Sequence, residues 1–270
     1  MVEITKKYKI GSRRFGLINW VGAWTLYKKE VLRFLIVWIQ TIFSPLISSL
    51  LFLLVLSLAI GADRGDVLGV PFITFLAPGL ISMQVIQQSF SHSSSSFMIG
   101  KIQGNIVDLL YAPLSATEVT ISVALAAVTR SVVIAIVSII VFKLIIDIEI
   151  TNYLLLIVFT LLSSFILGNI GIIAGLWAEK FDHMATVTNF VIVPLSFLSG
   201  TFYSIERLPE VLQIISKANP FFYMIDGFRY SFIGKADGSI FIGLIYLSVL
   251  SFVSWFVTYL LYKKGYKIKS

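Results

Sequence analysis

From Leu35 to Ile60 the chain carries no charged side chain. About 20 mostly apolar residues in an α-helix cover the hydrocarbon of a bilayer, so this stretch is long enough to cross one. Five further stretches repeat the pattern. Val67–Gly100 is free of Asp, Glu, Lys and Arg, although its second half turns polar. Val119–Phe142 is interrupted only by Arg130, and Tyr153–Ala178 is uncharged. Ala185–Ile205 is uncharged but contains Pro194 and Gly200, and Ser239–Tyr262 is uncharged. Backbone hydrogen bonds in lipid must close within each segment, which helices do, and the two-residue alternation of a membrane β-barrel is absent. The sequence therefore predicts an all-α polytopic membrane protein. It is one domain over residues 1–270, with spans over about 35–60, 70–98, 118–142, 153–178, 185–205 and 239–262.

Composition agrees. Of 270 residues, 57% are apolar and 13% charged, too few charges for a water-facing surface of this size. With no cysteine there is neither a disulfide framework nor a thiolate ligand, and the two histidines, His92 and His183, lie too far apart in sequence to suggest a metal cage. No metal and no cofactor is expected. The formal charge of +7 sits mainly at the two ends, beside apolar segments, which favours a membrane over a nucleic acid as partner. The first 34 residues hold eight Lys/Arg and no clean apolar core before a cleavage site, so they do not read as a signal peptide.

Charge asymmetry predicts orientation. With the N-terminus inside, the inner segments hold fourteen Lys/Arg, whereas the outer ones hold six: Arg64, Lys143, Arg207, Lys217, Arg229 and Lys235. Eight carboxylates fall outside, among them Asp63, Asp66, Asp226 and Asp237. Lys and Arg accumulate on the cytoplasmic side, so both termini are expected in the cytoplasm.

Three segments between the spans carry more than connection. Phe15–Phe34 mixes Trp20, Trp24 and Tyr27 with Lys28, Lys29 and Arg33, a mixture that favours the headgroup region and reads as an interfacial helix or a plain anchor. In the inner loop Ile102, Ile106, Leu109 and Leu110 recur at helical spacing until Pro113 stops the pattern. A short amphipathic helix there either docks in a partner's groove or lies flat on the membrane. Ser204–Gly238 is too apolar for a solvated outer loop and suggests short helices dipping back toward the bilayer.

Catalytic chemistry is scarce. Gly100-Lys101 and Gly234-Lys235 lack the earlier glycine of a phosphate-binding loop, so no ATP site is visible. The spans contain no carboxylate except Glu118 at an edge, which weighs against ion-coupled transport. Arg130, the charge near a span centre, contacts either an anionic substrate group or the amides of Gln84, Gln87 or Gln88. The polar run from Gln84 to Ser96 either lines a path or packs helices closely. His92 has no carboxylate placed within the membrane to orient it for hydrolytic work.

Three stretches, in this order within a six-span frame, resemble the ABC-2 type permeases, closest to the bacterial branch of drug, lipid and polysaccharide exporters. They are Gln103–Pro113 (QGNIVDLLYAP), Pro194–Ser204 (PLSFLSGTFYS), and Asn219–Tyr223 (NPFFY) followed by Asp226–Arg229 (DGFR). The resemblance covers nearly the whole chain. It implies a transport subunit rather than an enzyme, exporting an amphipathic drug, lipid or lipid-linked glycan across a cell (inner) membrane as a dimer, driven by a separate cytoplasmic ATPase. It also implies that Ile102, Asn105, Ile106, Asp108, Leu109 and Leu110 belong to a coupling helix seated on that ATPase. Phe15–Phe34 would then be the connector helix, and Gly200, Pro220, Tyr223, Asp226 and Arg229 would shape re-entrant helices at the outer gate. Gln84, Gln88 and Arg130 are the path candidates. The alternatives are an ion-coupled carrier and a membrane-embedded lipid-modifying enzyme.

Overall fold

The computed structural model describes residues 18–60 and 65–268, and among these it is helical without a β-strand. Phe15, Asp63 and Arg64, used in the sequence reading, lie outside the described residues. The first helix, α1 (Trp20–Ile36), starts where Asn19 Oδ1 accepts the Gly22 amide at 3.0 Å, an N-cap that satisfies one orphan donor of the first turn. Its Trp20, Val21 and Trp24 are exposed, while Leu26, Glu30 and Phe34 face inward. Only Val37 departs from helical dihedrals before a π-helical turn (Ile39–Phe43) leads directly into α2 (Ser44–Ile60).

The centre of the molecule is α3 (Phe72–Ile102), packed against α5 (Ala116–Ile145) and α6 (Tyr153–Trp177), with α11 (Ile240–Lys263) against α6. Small residues explain how α3 and α6 approach so closely. A Cβ on Gly171 would lie 2.5 Å from the Phe90 carbonyl oxygen, and one on Gly175 2.8 Å from that of Ser94. Ser89 and Ser131 spend their hydroxyls on the Ser164 and Val85 carbonyls, at 2.5 and 3.1 Å, bonding α3 to α6 and α5 to α3. Much of the serine-rich half of α3 is thus helix-packing surface.

Among the described residues five helical stretches are long and apolar enough to cross a membrane: Ile39–Ala59, Ala116–Ile145, Tyr153–Trp177, Phe181–Leu198 and Ile240–Lys263. The helix α3 is longer than any of them, but its second half holds the Gln/Ser/His run. The stretch expected over 185–205 sits earlier. It comprises α7 (Phe181–Val187), a π-helical turn at Thr188–Ile192 and α8 (Val193–Leu198), and it ends before Gly200, whose φ of +76° reverses the chain.

Among the described residues the apolar core falls into three clusters. One joins α2, α3 and α5 around Phe75, Phe142 and Phe228. A second joins α3, α6 and α10 (Pro220–Ile233) around Phe90, Phe159 and Phe221. The third gathers α1, α3, α5 and α6 around Leu26, Phe97, Val119 and Ile172. Between Gly200 and α11 the chain forms a 3-10 turn (Ile205–Arg207), the short amphipathic α9 (Glu210–Ala218) and α10.

Candidate functional site

The inner-loop segment predicted as one helix from Ile102 is two pieces. Ile102 is the last residue of α3, a turn at Gly104 (φ +76°) follows, and α4 is Ile106–Tyr111. The apolar spacing alone did not reveal the turn, because Ile102 and Ile106 stay four apart on either side of it. Ile106 is buried in the chain's own cluster with Leu26 and Phe97, so it anchors α4. The outward side of the segment is Ile102, Asn105, Val107, Asp108, Leu110 and Tyr111, all exposed, with Leu109 half-buried.

A polar knot fixes where this segment stands. Ser115 and Glu118 cap α5 reciprocally: the Glu118 amide donates to Ser115 Oγ at 3.2 Å and the Ser115 amide to Glu118 Oε2 at 2.7 Å. The other carboxylate oxygen of Glu118 accepts the Asn19 amide at 2.6 Å, and Asn19 Nδ2 donates to the Pro113 carbonyl at 3.0 Å. Four residues thereby bind the start of α1, the exit of α4 and the start of α5. A groove of about 600 Å³ opens between α1 and α4, walled by Gly22, Thr25 and Lys29 on one side and Asn105, Asp108 and Leu109 on the other. Asn19 and Ser115 were missed in the sequence reading, although Ser115-x-x-Glu118 is a capping-box spacing. Beyond this region Lys101 Nζ donates to the Leu176 carbonyl at 2.8 Å and to the Ala178 carbonyl, so α3 also holds the end of α6.

A second polar site pins α1 to α3. Glu30 is 1% exposed and pairs with Arg33 Nε at 3.0 Å. Arg33 also donates to Ser95 Oγ at 3.1 Å and to the His92 carbonyl at 2.8 Å. The buried imidazole of His92 stands with Nε2 3.8 Å from Glu30 and edge-on to Phe34. On the far side Arg130 Nη2 donates to Gln88 Oε1. The sequence left Arg130 between an anionic substrate group and the amides of Gln84, Gln87 or Gln88, and it did not reveal Glu30, because a carboxylate in a Lys/Arg-rich helix reads as surface.

The third site is at the opposite end. Asp226 and Arg229, three residues apart on α10, form no ion pair with each other among the described residues. Arg229 is 1% exposed and sends Nη2 to the Gly200 and Thr201 carbonyls at 2.6 and 3.2 Å, with its guanidinium 3.9 Å from the Phe75 ring centroid. Asp226 instead accepts the Asp237 and Gly238 amides at 3.0 and 2.9 Å, while Asp237 accepts from Ser204 Oγ at 2.5 Å. Charges three residues apart on one helix thus hold two different loops, one after α8 and one before α11. Asn219 caps α10 and reaches back to the Leu195 carbonyl and Ser199 Oγ at 3.1 and 2.7 Å, with Pro220 in the first turn where its missing N–H costs nothing. Tyr223 lies 5.3 Å from Tyr246, ring to ring, which brings α10 against α11.

Comparison with known proteins places these features in a group. The sequence profile described as ABC-2 type transporter matches residues 22–233. The chain is 32% identical to the inner membrane transport permease YadH of Escherichia coli K12 over 220 residues, 82% of this chain and 86% of that protein. It is 23% identical to Nodulation protein J of Neorhizobium galegae over 251 residues, covering 92% and 94%, and 24% identical to that of Rhizobium leguminosarum bv. viciae, covering 82% and 84%.

Proposed function

The chain belongs to the ABC-2 type transporter family, and from that premise we propose that it is the permease of an ATP-driven exporter in the inner membrane. Membership makes it a membrane-embedded subunit of a transporter. The finer reading is six passes with both termini in the cytoplasm, a homodimer of the permease, and a separate ATPase beneath α4. The inner-membrane assignment follows the name of the E. coli relative.

Length supports α3 as the sixth pass. At 31 residues it extends about 46 Å, more than the roughly 30 Å of hydrocarbon. The Ser/His part of its polar half is shielded by α5 and α6 and by Arg33 and Phe34 of α1, which makes that run tolerable at membrane depth. The inner end is then the one with Lys101, Lys180, Lys263 and Lys264. The amphipathic α9, exposed along most of its length, and the buried α10, packed on α8 and α11, suit a re-entrant pair that closes the outer end around Arg229 and Asp226.

The observation that carries the reading is the α4 segment: a rigid platform, anchored by Ile106 and the Asn19–Glu118 knot, that leaves Ile102, Val107, Leu110 and Tyr111 bare. Apolar side chains on the water-facing end of a membrane protein call for a partner. When two ATPase subunits close on ATP, their motion would push α4, and through the knot α1 and α5, tilting each bundle as a near-rigid body. An amphipathic drug, a lipid or a lipid-linked glycan would pass outward.

Affinity-tagged chain purified from its host membrane should carry an ATP-binding cassette protein with it, and transport by the pair should cease when ATP is depleted. Transport that outlasts ATP depletion and stops when the ion gradient collapses would overturn the proposal in favour of an ion-coupled carrier.

A further inference from the structure

Between α2 and α3 lies a cleft of about 220 Å³ with Ser44, Ser48 and Phe52 on one wall, Gln84, Gln87 and Gln88 on the other, and Phe202 at the rim. Three features set it apart from the apolar clefts elsewhere on the bundle. Gln84 is 8% exposed, and neither it nor Gln87 makes a side-chain hydrogen bond among the described residues. Both amides line the cleft with their donors and acceptors unspent, where a polar ligand can pair with them. Gln88 gives its amide oxygen to Arg130. Its NH2 is left to donate, strengthened by the cation behind it. No carboxylate lies within ion-pair distance of Arg130 among the described residues. The rim brings the Phe52 and Phe202 rings to 6.3 Å of each other, with Phe197 5.2 Å from Phe202.

A full ligand pocket is roughly 300–1,000 Å³, so this cleft seats one ring or head group and leaves any apolar tail to the lipid beside α2. Amides that both donate and accept, facing flat aromatic surfaces, match a ring with hydroxyls round its edge and C–H groups on its faces. A cationic head would meet Arg130 and be repelled.

Building on the permease reading, we propose that this cleft is a substrate subsite for the hydroxylated, uncharged or anionic ring of an amphiphile, with an acceptor oxygen on the Gln88 amide. Gln84 and Gln87 choose the head group, and Arg130 acts through Gln88.

The absence of cysteine makes the test direct. Ser48→Cys places a lone thiol on the exposed wall of the cleft without touching an amide. Its labelling by a water-soluble maleimide is followed in nanodiscs with rising dodecyl maltoside, or with dodecylphosphocholine of the same tail length. The proposal expects the maltoside to slow labelling and the phosphocholine to have little effect. Gln84→Leu or Gln87→Leu, each close in volume, should raise the half-protecting maltoside concentration about fivefold, the worth of one hydrogen bond. Equal protection by both detergents would mean that only the tail binds, and would overturn it. Protection with no detergent added would mean that a second copy of the chain covers the cleft, and would overturn it too. A thiol labelled at one rate throughout does the same. Co-purification with the ATP-binding protein is scored on the same preparations, so failure of the permease reading shows there and failure of the subsite shows in the labelling.

Discussion

Gly79 and Arg229 meet across the α3–α10 contact: a Cβ on Gly79 would stand 2.8 Å from Arg229 Nη2 and 2.6 Å from the Thr201 carbonyl oxygen that Arg229 holds. Gly79→Ala must therefore push the guanidinium off its carbonyls. Such overpacking costs about 1–3 kcal/mol, and the thermal unfolding midpoint of the detergent-purified chain should fall. Arg229→Lys should also lose stability, because one ammonium cannot serve both carbonyls and lie flat on Phe75. If Arg229→Ala altered only which substrate moves and left the unfolding midpoint unchanged, the residue would be a binding group and not a brace.

Gly171→Val should part α3 from α6. Its Cβ alone would overlap the Phe90 carbonyl at 2.5 Å and press on Ser93 at 3.1 Å. A loss of more than about 3 kcal/mol is expected, read as failure to accumulate in the membrane. Gly265→Ala, with nothing within 4 Å but a φ of +69°, should be tolerated far better and serves as the control.

Arg33→Ala removes the nearer of two cations from the buried Glu30 carboxylate and leaves it Lys29 Nζ at 3.6 Å. Breaking a buried pair from one side costs about 3–5 kcal/mol, and Arg33 is itself partly exposed, so the lower end is expected. Arg33→Ala with Glu30→Gln together should recover part of the loss. A double variant that is as unstable as the sum of the two singles would show that the pair is not coupled.

Leu110→Asp puts a charge on the exposed side of α4 without disturbing Ile106 beneath it. The variant should fold normally and lose stable association with the ATP-binding protein, or hydrolyse ATP without transport. Normal export by an assembled complex would remove Leu110 from the coupling surface.

Lys267 Nζ lies 2.9 Å from Glu179 Oε1 and ties the chain's end to the turn after α6. That hydrogen bond and charge hold the Glu179 carboxyl below its usual range. A carboxyl depressed in the fold contributes above its unfolded pKa and loses that contribution as pH falls through the folded one. Amide protection factors over residues 264–268, exchange taken relative to the intrinsic rate at each pH, should therefore fall slightly on acidification below the ordinary carboxylate range, and Glu179→Gln should show the lower protection already at neutral pH.

The all-helical membrane architecture was legible because lipid imposes a simple code: uncharged runs long enough to cross, separated by charges. That Arg130 needs a polar partner was legible for the same reason, but not that Gln88, rather than Gln84 or Gln87, accepts from it. What stayed hidden depends on contacts between residues far apart in the chain. The Asn19–Glu118 bond spans α1 and α5, and Arg229 reaches Gly200 rather than its neighbour Asp226. Helical spacing brought Asp226 and Arg229 near each other in one dimension, but their side chains leave the helix toward different loops. Glu30 was hidden by its company, a run of lysine and arginine that looks like surface until α3 covers it.

The passage from α1 to α2 has a mechanical meaning. A single residue, Val37, with φ −107° and ψ 36°, interrupts an otherwise unbroken run of helical turns from Trp20 to Ile60. A joint this short has no slack to absorb displacement. Any swing given to the amphipathic arm at its pinned Asn19 end arrives at the first span as torque, like force carried through a crank, and a few glycines spliced in after Val37 would leave the handle turning freely.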